Sequence, residues 1–257
     1  MPMDMNLAHF NTEIGRKKPE NIIHADAPCP FCARDTLTGI VAADGDIILL
    51  RNKFPVIEEA DQFVLIEGPS CETDMPGYTR SHMHRLIAFG MHHWRRMRES
   101  GAYESVLFFK NYGPYSGGTM RHPHMQLVGF PKFRQELAFC RSEFEGLTIA
   151  EQDGVVLNIS TRPRIGFWEL NIIPRDAAAT AAIADYIQIA VDFLRQRMDS
   201  YNIFFYHDDS DVFIKIMPRF ATSPIFIGYN IRLLPSNIEE MRSRIRSIYF
   251  ENKGNKR

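Results

Sequence analysis

No apolar run in this chain approaches the roughly 20 residues that a membrane-spanning helix needs, so no transmembrane segment is expected. Charge of one sign is not in excess either. Thirty Lys and Arg stand against 31 Asp and Glu, a formal net charge of -1 over 257 residues. Nucleic-acid coats and binders of anionic membranes carry a basic excess, so this balance speaks against both. The opening "MPMDMNLAHFNTE" lacks a basic stretch followed by an apolar one. A secretory leader is therefore not expected, and the cytoplasm is the expected location. Cysteine is scarce: Cys29, Cys32, Cys71 and Cys140 are all there is. Thiols in a reducing compartment do not form disulfides, so the close Cys29/Cys32 pair reads as metal or redox chemistry.

What is present is enough apolar material for a substantial core, with 45% hydrophobic and 12% aromatic residues, which excludes a disordered chain. The first segment, to about Ala27, is polar and reads as extended chain wrapping the body; its "GRKKP" (Gly15 to Pro19) could hold a small phosphorylated ligand. "GIVAADGDIILLRNKFP" holds two short apolar runs around "DGD", a β-hairpin signal. "DQFVLIEG", "ESVLFFKN" and "MQLVGFP" read as strands. Between the first two, Pro76 to Ser100 spaces Met83, Leu86, Ile87, Met91, Trp94 and Met97 as the inner stripe of an amphipathic helix.

The second half repeats this grammar. "GVVLNIS", "GFWELNIIP", "YNIFFYH", "DVFIKIMP" and "PIFIGYNI" read as strands, with a helix over Asp176 to Met198 and a last one starting at Ser236, capped with Glu239. The pattern predicts an α+β, mostly antiparallel protein, possible as an internal duplication, with a boundary near residues 131 to 150. Only the tail "NKGNKR" is compositionally biased.

"CPFC" supplies two thiolates at the spacing of a zinc knuckle. A thioredoxin-like dithiol would open a helix within a βαβ unit, whereas a loop and hairpin follow here; a plain buried turn is the bland alternative. A closed site needs two more ligands, and Cys71, in the polar loop "GPSCETD", and His122 are candidates for a Cys3His set. His82 and His84, like His92 and His93, diverge on their helix and read as solvated or half-buried residues.

The stretch "GPYSGGTMRHPHMQ" joins a glycine-rich loop, able to bring backbone N–H groups close to phosphate, to an alternating His-x-His-x-Gln. Proline keeps His122 extended, so His122, His124 and Gln126 project to one side. A histidine beside a phosphate cradle suggests covalent nucleotidyl transfer, since a neutral imidazole can attack phosphorus.

The run "NYGPYSGGTMRHPHMQ" resembles the Asn-x-Gly, glycine loop and HPHGQ of galactose-1-phosphate uridylyltransferases, the transferase branch of the histidine-triad superfamily. "CPFC" is similar to that family's zinc pair and "RNKFPVIE" to its nucleotide-pocket strand. "NKFP" also resembles diadenosine polyphosphate phosphorylases, and "FIGYN" the family's hexose-contacting Gly-Tyr-Glu segment. The likeness is strong over Cys29 to Phe130 and weaker to about Leu234.

The resemblance implies two histidine-triad-like folds in tandem, each an antiparallel sheet with a packed helix. Residues 1-135 would form the catalytic half with the zinc site, and 136-257 a second half without the HPH motif. It implies His124 as the nucleophile, Gln126 beside it, and structural zinc on Cys29, Cys32, Cys71 and His122, with Cys71 where the family has a histidine. Asn52 and Lys53 would lie at the nucleoside, Lys53 replacing an acidic residue near the ribose. Asn111, Gly117, Gly118 and Thr119 would face phosphate, with Arg16 or Lys17 near family arginines that hold it, while Asn230 replaces the hexose-binding glutamate. Glutamine at 126 cannot protonate a leaving group, which favours transfer or phosphorolysis over hydrolysis. The expected activity moves a nucleoside monophosphate from a nucleotide donor to phosphate or a sugar phosphate. A dinucleoside polyphosphate phosphorylase, or a zinc-stabilised nucleotide-binding module without turnover, are the alternatives. Members form dimers with shared sites, while a tandem chain could complete its pocket alone, so a homodimer stays open.

Overall fold

A computed structural model describes residues 7–22, 24, 26–132, 139–208 and 211–251. The expected division after residue 135, the first six residues and the basic tail lie outside the described residues. Ten strands form one sheet. Those of the first half are β1 (Ile40–Asp44), β2 (Ile47–Arg51), β3 (Asp61–Ile66), β4 (Ser105–Tyr112) and β5 (His124–Phe130). Those of the second are β6 (Gly146–Gln152), β7 (Val155–Ser160), β8 (Leu170–Pro174), β9 (Tyr201–Asp208) and β10 (Asp211–Pro218).

Their order across the sheet is β1-β2-β3-β5-β4-β9-β10-β8-β7-β6, every neighbour antiparallel. Each half therefore runs strand, strand, strand, helix, strand, strand. The halves join edge to edge where β4 pairs with β9, setting Phe109 opposite Phe204. The expected α+β architecture of two like, antiparallel units is borne out, and the repeat is visible in the connectivity.

Helices α2 (Arg80–Glu99) and α3 (Thr180–Arg195) join their halves' strands in a common core. Thr79 caps α2, accepting from the His82 N–H at 3.3 Å, and its buried stripe of Met83, Leu86, Ile87, Met91 and Trp94 is the one the spacing predicts. Burying each such side chain contributes about 1.5–3 kcal/mol. The Trp94 indole donates to the Val106 carbonyl at 2.8 Å, so its one polar atom is satisfied inside. Strand alternation sends Leu65, Phe108 and Met125 into this core, and Leu50, Val64 and Ile66 into a smaller cluster with Phe31 and Leu37.

Three expectations are corrected, and one strand is added. The N-terminal arm is not wholly extended: Asn11 accepts from the Ile14 N–H at 3.0 Å and caps a short α1 (Thr12–Gly15). "PIFIGYNI" is not a strand but α4 (Pro224–Tyr229), because Pro224 pre-sets helical φ at the first turn and Asn230 ends it in the left-handed region. The last helix, α5 (Ile238–Arg246), starts after Asn237 without a side-chain cap, so the Ser236/Glu239 box does not form. Strand β6 was not foreseen; it lies at the end of the stretch expected as a boundary and forms the sheet's outer edge beside β7. No helix among the described residues is long and apolar enough to cross a membrane.

Candidate active site

The turn holding Cys29 and Cys32, closed by a Cys32 N–H to Cys29 carbonyl bond of 3.2 Å, meets the β3–α2 loop at Cys71 and the residue before Pro123 at His122. The four ligand atoms lie within 4.8 Å of one another. His122 Nδ1 is 3.6 Å from Cys29 Sγ and 3.4 Å from the sulfurs of Cys32 and Cys71, which are 3.3 Å apart. Bonds of about 2.3 Å to sulfur and 2.0 Å to nitrogen put tetrahedral ligands roughly 3.5–3.8 Å apart, so the cluster fits a metal ion of that kind. His122 donates Nε2–H to the Gly68 carbonyl at 2.9 Å, which leaves the Nδ1 lone pair facing the sulfurs. Burial, then the Cys32 and Cys29 sulfurs, push the Cys71 thiol up to about 12, an anion deficit that a bound cation would reverse.

Two residues further, the His124 ring is turned by a different carbonyl. Its Nδ1–H donates to the His122 backbone carbonyl at 2.8 Å, so the other ring nitrogen is the unprotonated one. The ring is 6% exposed, and burial, with the Lys110 and Lys18 cations nearby, lowers its pKa to about 4. It is neutral at physiological pH. Phe31 sets its edge against both imidazoles, at centroid distances of 5.8 Å for His122 and 5.6 Å for His124.

His124 and Gln126 line a cavity of about 150 Å³ together with Asn52 and Lys53. Phe31, Leu37, Leu50, Phe54, Val64 and Met120 give it apolar walls, and Lys18, Arg51 and Lys53 are its charged residues. No carboxylate lines it among the described residues. Asn52 is held by an Asx turn, its Oδ1 accepting from the Phe54 N–H at 2.9 Å, while its own N–H reaches the Gln62 carbonyl at 2.8 Å. The cavity suits a small polyanion with an apolar part.

The glycine loop between β4 and β5 borders this cavity through Met120, but Asn111, Gly117, Gly118 and Thr119 are not among its lining residues. Gly113 must be glycine: its φ is 84°, and an added Cβ would lie 2.1 Å from the Asp199 carbonyl. Ser116 accepts from the Gly118 N–H at 3.1 Å and donates to the Gly113 carbonyl at 2.7 Å, so one expected phosphate donor, the Gly118 N–H, is already used. Gly117 has φ of 83° in open space, a conformation glycine takes freely. The Thr119 hydroxyl and Asn21 Nδ2 are buried without partners, while Asn21 Oδ1 accepts the Arg121 N–H at 2.6 Å.

Arg16 lies away from the cavity, exposed and paired with Glu13 at 3.1 Å; Lys18, two residues on, faces it instead. Asn230 is exposed at the end of α4. Of the helix histidines, His84 meets Asp185 at 2.8 Å and His82 the Glu67 carbonyl at 2.8 Å.

The largest omission is Lys110. It is fully buried in β4, with Nζ 2.5 Å from Glu67 and 3.4 Å from Asp74. Burial lowers its pKa, but the two carboxylates outweigh that and hold it above its ordinary range. Tyr78 donates to Glu67 at 3.2 Å and Tyr201 to Asp74 at 2.8 Å. Glu67 and Asp74 bracket the loop that carries Gly68 and Cys71, so Lys110 pins the metal-ligand loop from beneath. A lysine on the inward phase of "ESVLFFKN" was the available signal.

The sheet register threads Leu50, Val64, Gln126, Phe109, Phe204 and Lys215 into one row. Lys215 holds the place on β10 that Gln126 holds on β5. There the second half is filled rather than open: the Lys215 ammonium donates to Asn171 at 2.7 Å and the Glu143 carbonyl at 2.8 Å, with Glu169 at 3.1 Å.

Two like, helix-backed antiparallel units share one sheet, with the Cys3His cluster and His124 in the first, and the same fold is found in solved uridylyltransferases. A solved uridylyltransferase superposes with a TM-score of 0.70 at 16% identity, over 86% of this chain and 91% of that one. An ADP-glucose phosphorylase from Arabidopsis thaliana, with ADP-glucose bound, gives 0.68 at 15% identity over 87% and 93%. The chain belongs to the DUF4931 family. Residues 10–133 match its N-terminal domain and 136–250 its C-terminal domain, both described as of unknown function. A DUF4931 family protein from Bacillus cereus is 37% identical, with a TM-score of 0.74 over 82% of this chain and 99% of that one. No curated protein sequence matches the chain.

Proposed function

We propose that the chain is a nucleotidyltransferase that works through a covalent nucleotidyl-His124 intermediate. One observation carries this reading: a neutral, buried imidazole with Nδ1 tied to a backbone carbonyl lies in a cavity whose charged residues are all cations. The His124 Nε2 lone pair attacks the α-phosphorus of a nucleotide donor. The bond from phosphorus to the leaving phosphate oxygen breaks, and its electron pair departs with that group. An oxygen of inorganic phosphate or a sugar phosphate then attacks the same phosphorus and returns the pair to Nε2. Gln126 donates to the phosphoryl oxygens but supplies no proton, so the leaving group must already be a stable anion. Lys18 and Lys53 offset the donor's charge, and the apolar wall at Phe31, Leu50 and Val64 takes the base.

A uridylyltransferase and an ADP-glucose phosphorylase among the fold's neighbours support this class, with phosphorolysis as the variant in which phosphate is the acceptor. Zinc fits Cys29, Cys32, Cys71 and His122, a closed set with no open position, so its work is to hold the His122–His124 segment. The run of exposed Ile225, Ile227, Tyr229 and Ile231 is a suitable face for a homodimer, which light scattering would detect.

The test is a donor panel read by intact-protein mass spectrometry. An acid-labile nucleotidyl adduct is expected on the native chain and none on His124→Asn. An adduct that persists in His124→Asn overturns the nucleophile assignment.

A further inference from the structure

The glycine loop is held by a residue of the other half. Asn202 on β9, 1% exposed, donates through Nδ2 to Asn111 Oδ1 at 2.7 Å and to the Ser116 carbonyl at 3.0 Å. Its own Oδ1 accepts from Arg219 at 2.7 Å, just past the end of β10. An asparagine amide has two orientations that differ only in which side donates. Arginine, however, only donates. Arg219 thus forces Asn202 to present oxygen to it and nitrogen to the loop. Asn111 must in turn present oxygen to Asn202, which leaves the Asn111 NH2 on its far side.

That NH2 has no partner among the described residues. One step beyond the Lys110–Met125 pair, the register leads from Asn111 toward the start of β5, where His124 stands, and Asn111 pairs with Asn202 on its other flank. Hydrogen-bond polarity is therefore passed from Arg219 through two amides to a free donor on the strand beside the one that carries His124.

We propose that Asn202 and Arg219 are positioning residues: they lock the Asn111 amide with its NH2 toward the phosphoryl group transferred at His124. In this way the second half, which has no HPH motif, sets the donor pattern of the first. The inference rests on the nucleotidyl-transfer reading. Asp at 202 would keep the contact with Arg219 but could not donate. Asn111 would then turn its NH2 to that carboxylate and its carbonyl oxygen to the phosphoryl oxygens.

The test measures the rate of adduct formation on His124 in the native chain, Asn202→Asp, Asn111→Ala, the double variant and two Arg219 variants. Asn202→Asp is expected to slow labelling about 100-fold, the effect of losing one phosphoryl-directed donor. Arg219→Lys, still donor-only, should stay near the native rate, whereas Arg219→Gln, which can offer either end of its amide, should slow labelling about 10-fold. The double variant should label no more slowly than Asn111→Ala, because Asn202 acts through Asn111. Losses that multiply in the double variant would show a merely structural Asn202 and overturn the relay. So would native-rate labelling in Asn202→Asp. If Asn202→Asp does not fold, equal rates for Arg219→Lys and Arg219→Gln overturn it. A native chain that takes no label overturns the transfer reading and the relay with it.

Discussion

His124 donates its Nδ1–H to the backbone carbonyl of His122 at 2.8 Å, while His122 sends its own Nε2–H to the Gly68 carbonyl at 2.9 Å. Each bond fixes a tautomer. In His122 the free lone pair is on Nδ1 and faces three sulfurs; in His124 it is on the opposite nitrogen. Two histidines on one side of an extended segment thus present opposite ring nitrogens, because each ring is turned by a different carbonyl.

Gln126 shares the cavity with His124 and offers no proton. The native chain is expected to take label only from donors whose leaving group is phosphorylated. Gln126→His restores a general acid and should speed labelling from donors with an alcohol or amine leaving group by about 100-fold. Single-turnover labelling with matched donors checks this.

The cluster of Cys29, Cys32, Cys71 and His122 should hold one zinc per chain, measurable by plasma mass spectrometry of the purified protein. Cys71→His keeps a ligand and should retain the metal. Cys71→Ser should lose most of it and lower Tm by more than about 5 °C, at roughly 2–4 °C per kcal/mol for proteins of 150–250 residues. Equal Tm for Cys71→Ser and the native chain would exclude a structural metal.

Lys110→Met would leave Glu67 and Asp74 buried without their cation. Removing one partner of a buried pair costs about 3–5 kcal/mol. A second change, Glu67→Gln, should recover part of that loss, since fewer charges are then left unpaired. Urea unfolding of the two variants tests the sign.

Asp185 ties α3 to α2 through Arg80, at 2.9 and 2.6 Å, and His84, at 2.8 Å. The Arg80 hydrogen bonds, with smaller help from His84, hold its carboxyl below the ordinary range. Its contribution is then fully present above the unfolded value of about 3.9 and is lost as pH falls through the lower folded value. The stability gap between the native chain and Asp185→Asn should be steady at pH 5–6 and shrink below about pH 4. Partial exposure limits it to about 1 kcal/mol. A gap that widened in acid would reverse the assignment.

The sequence by itself determined most of the strands, because period-two apolar runs such as "DQFVLIEG" can bury a face in only one way, and both long helices, because their stripes recur at helical spacing. It also held the Cys3His set and the His-x-His-x-Gln run, each recognisable from a few residues. "PIFIGYNI" has the composition of a strand, but Pro224 and the left-handed Asn230 decide for a helix. Tertiary structure alone decided which basic residue faces the cavity. Arg16, Lys17 and Lys18 are chemically alike along the chain, and only the path of the N-terminal arm singles out Lys18. It alone placed Lys110 beneath the loop that carries Cys71, and brought Arg219 to Asn202 and Asn202 to Asn111. Those contacts span 43 residues between Lys110 and Glu67 and 91 between Asn202 and Asn111. A hydrogen-bond partner that distant is fixed by strand order and register, which no local pattern records.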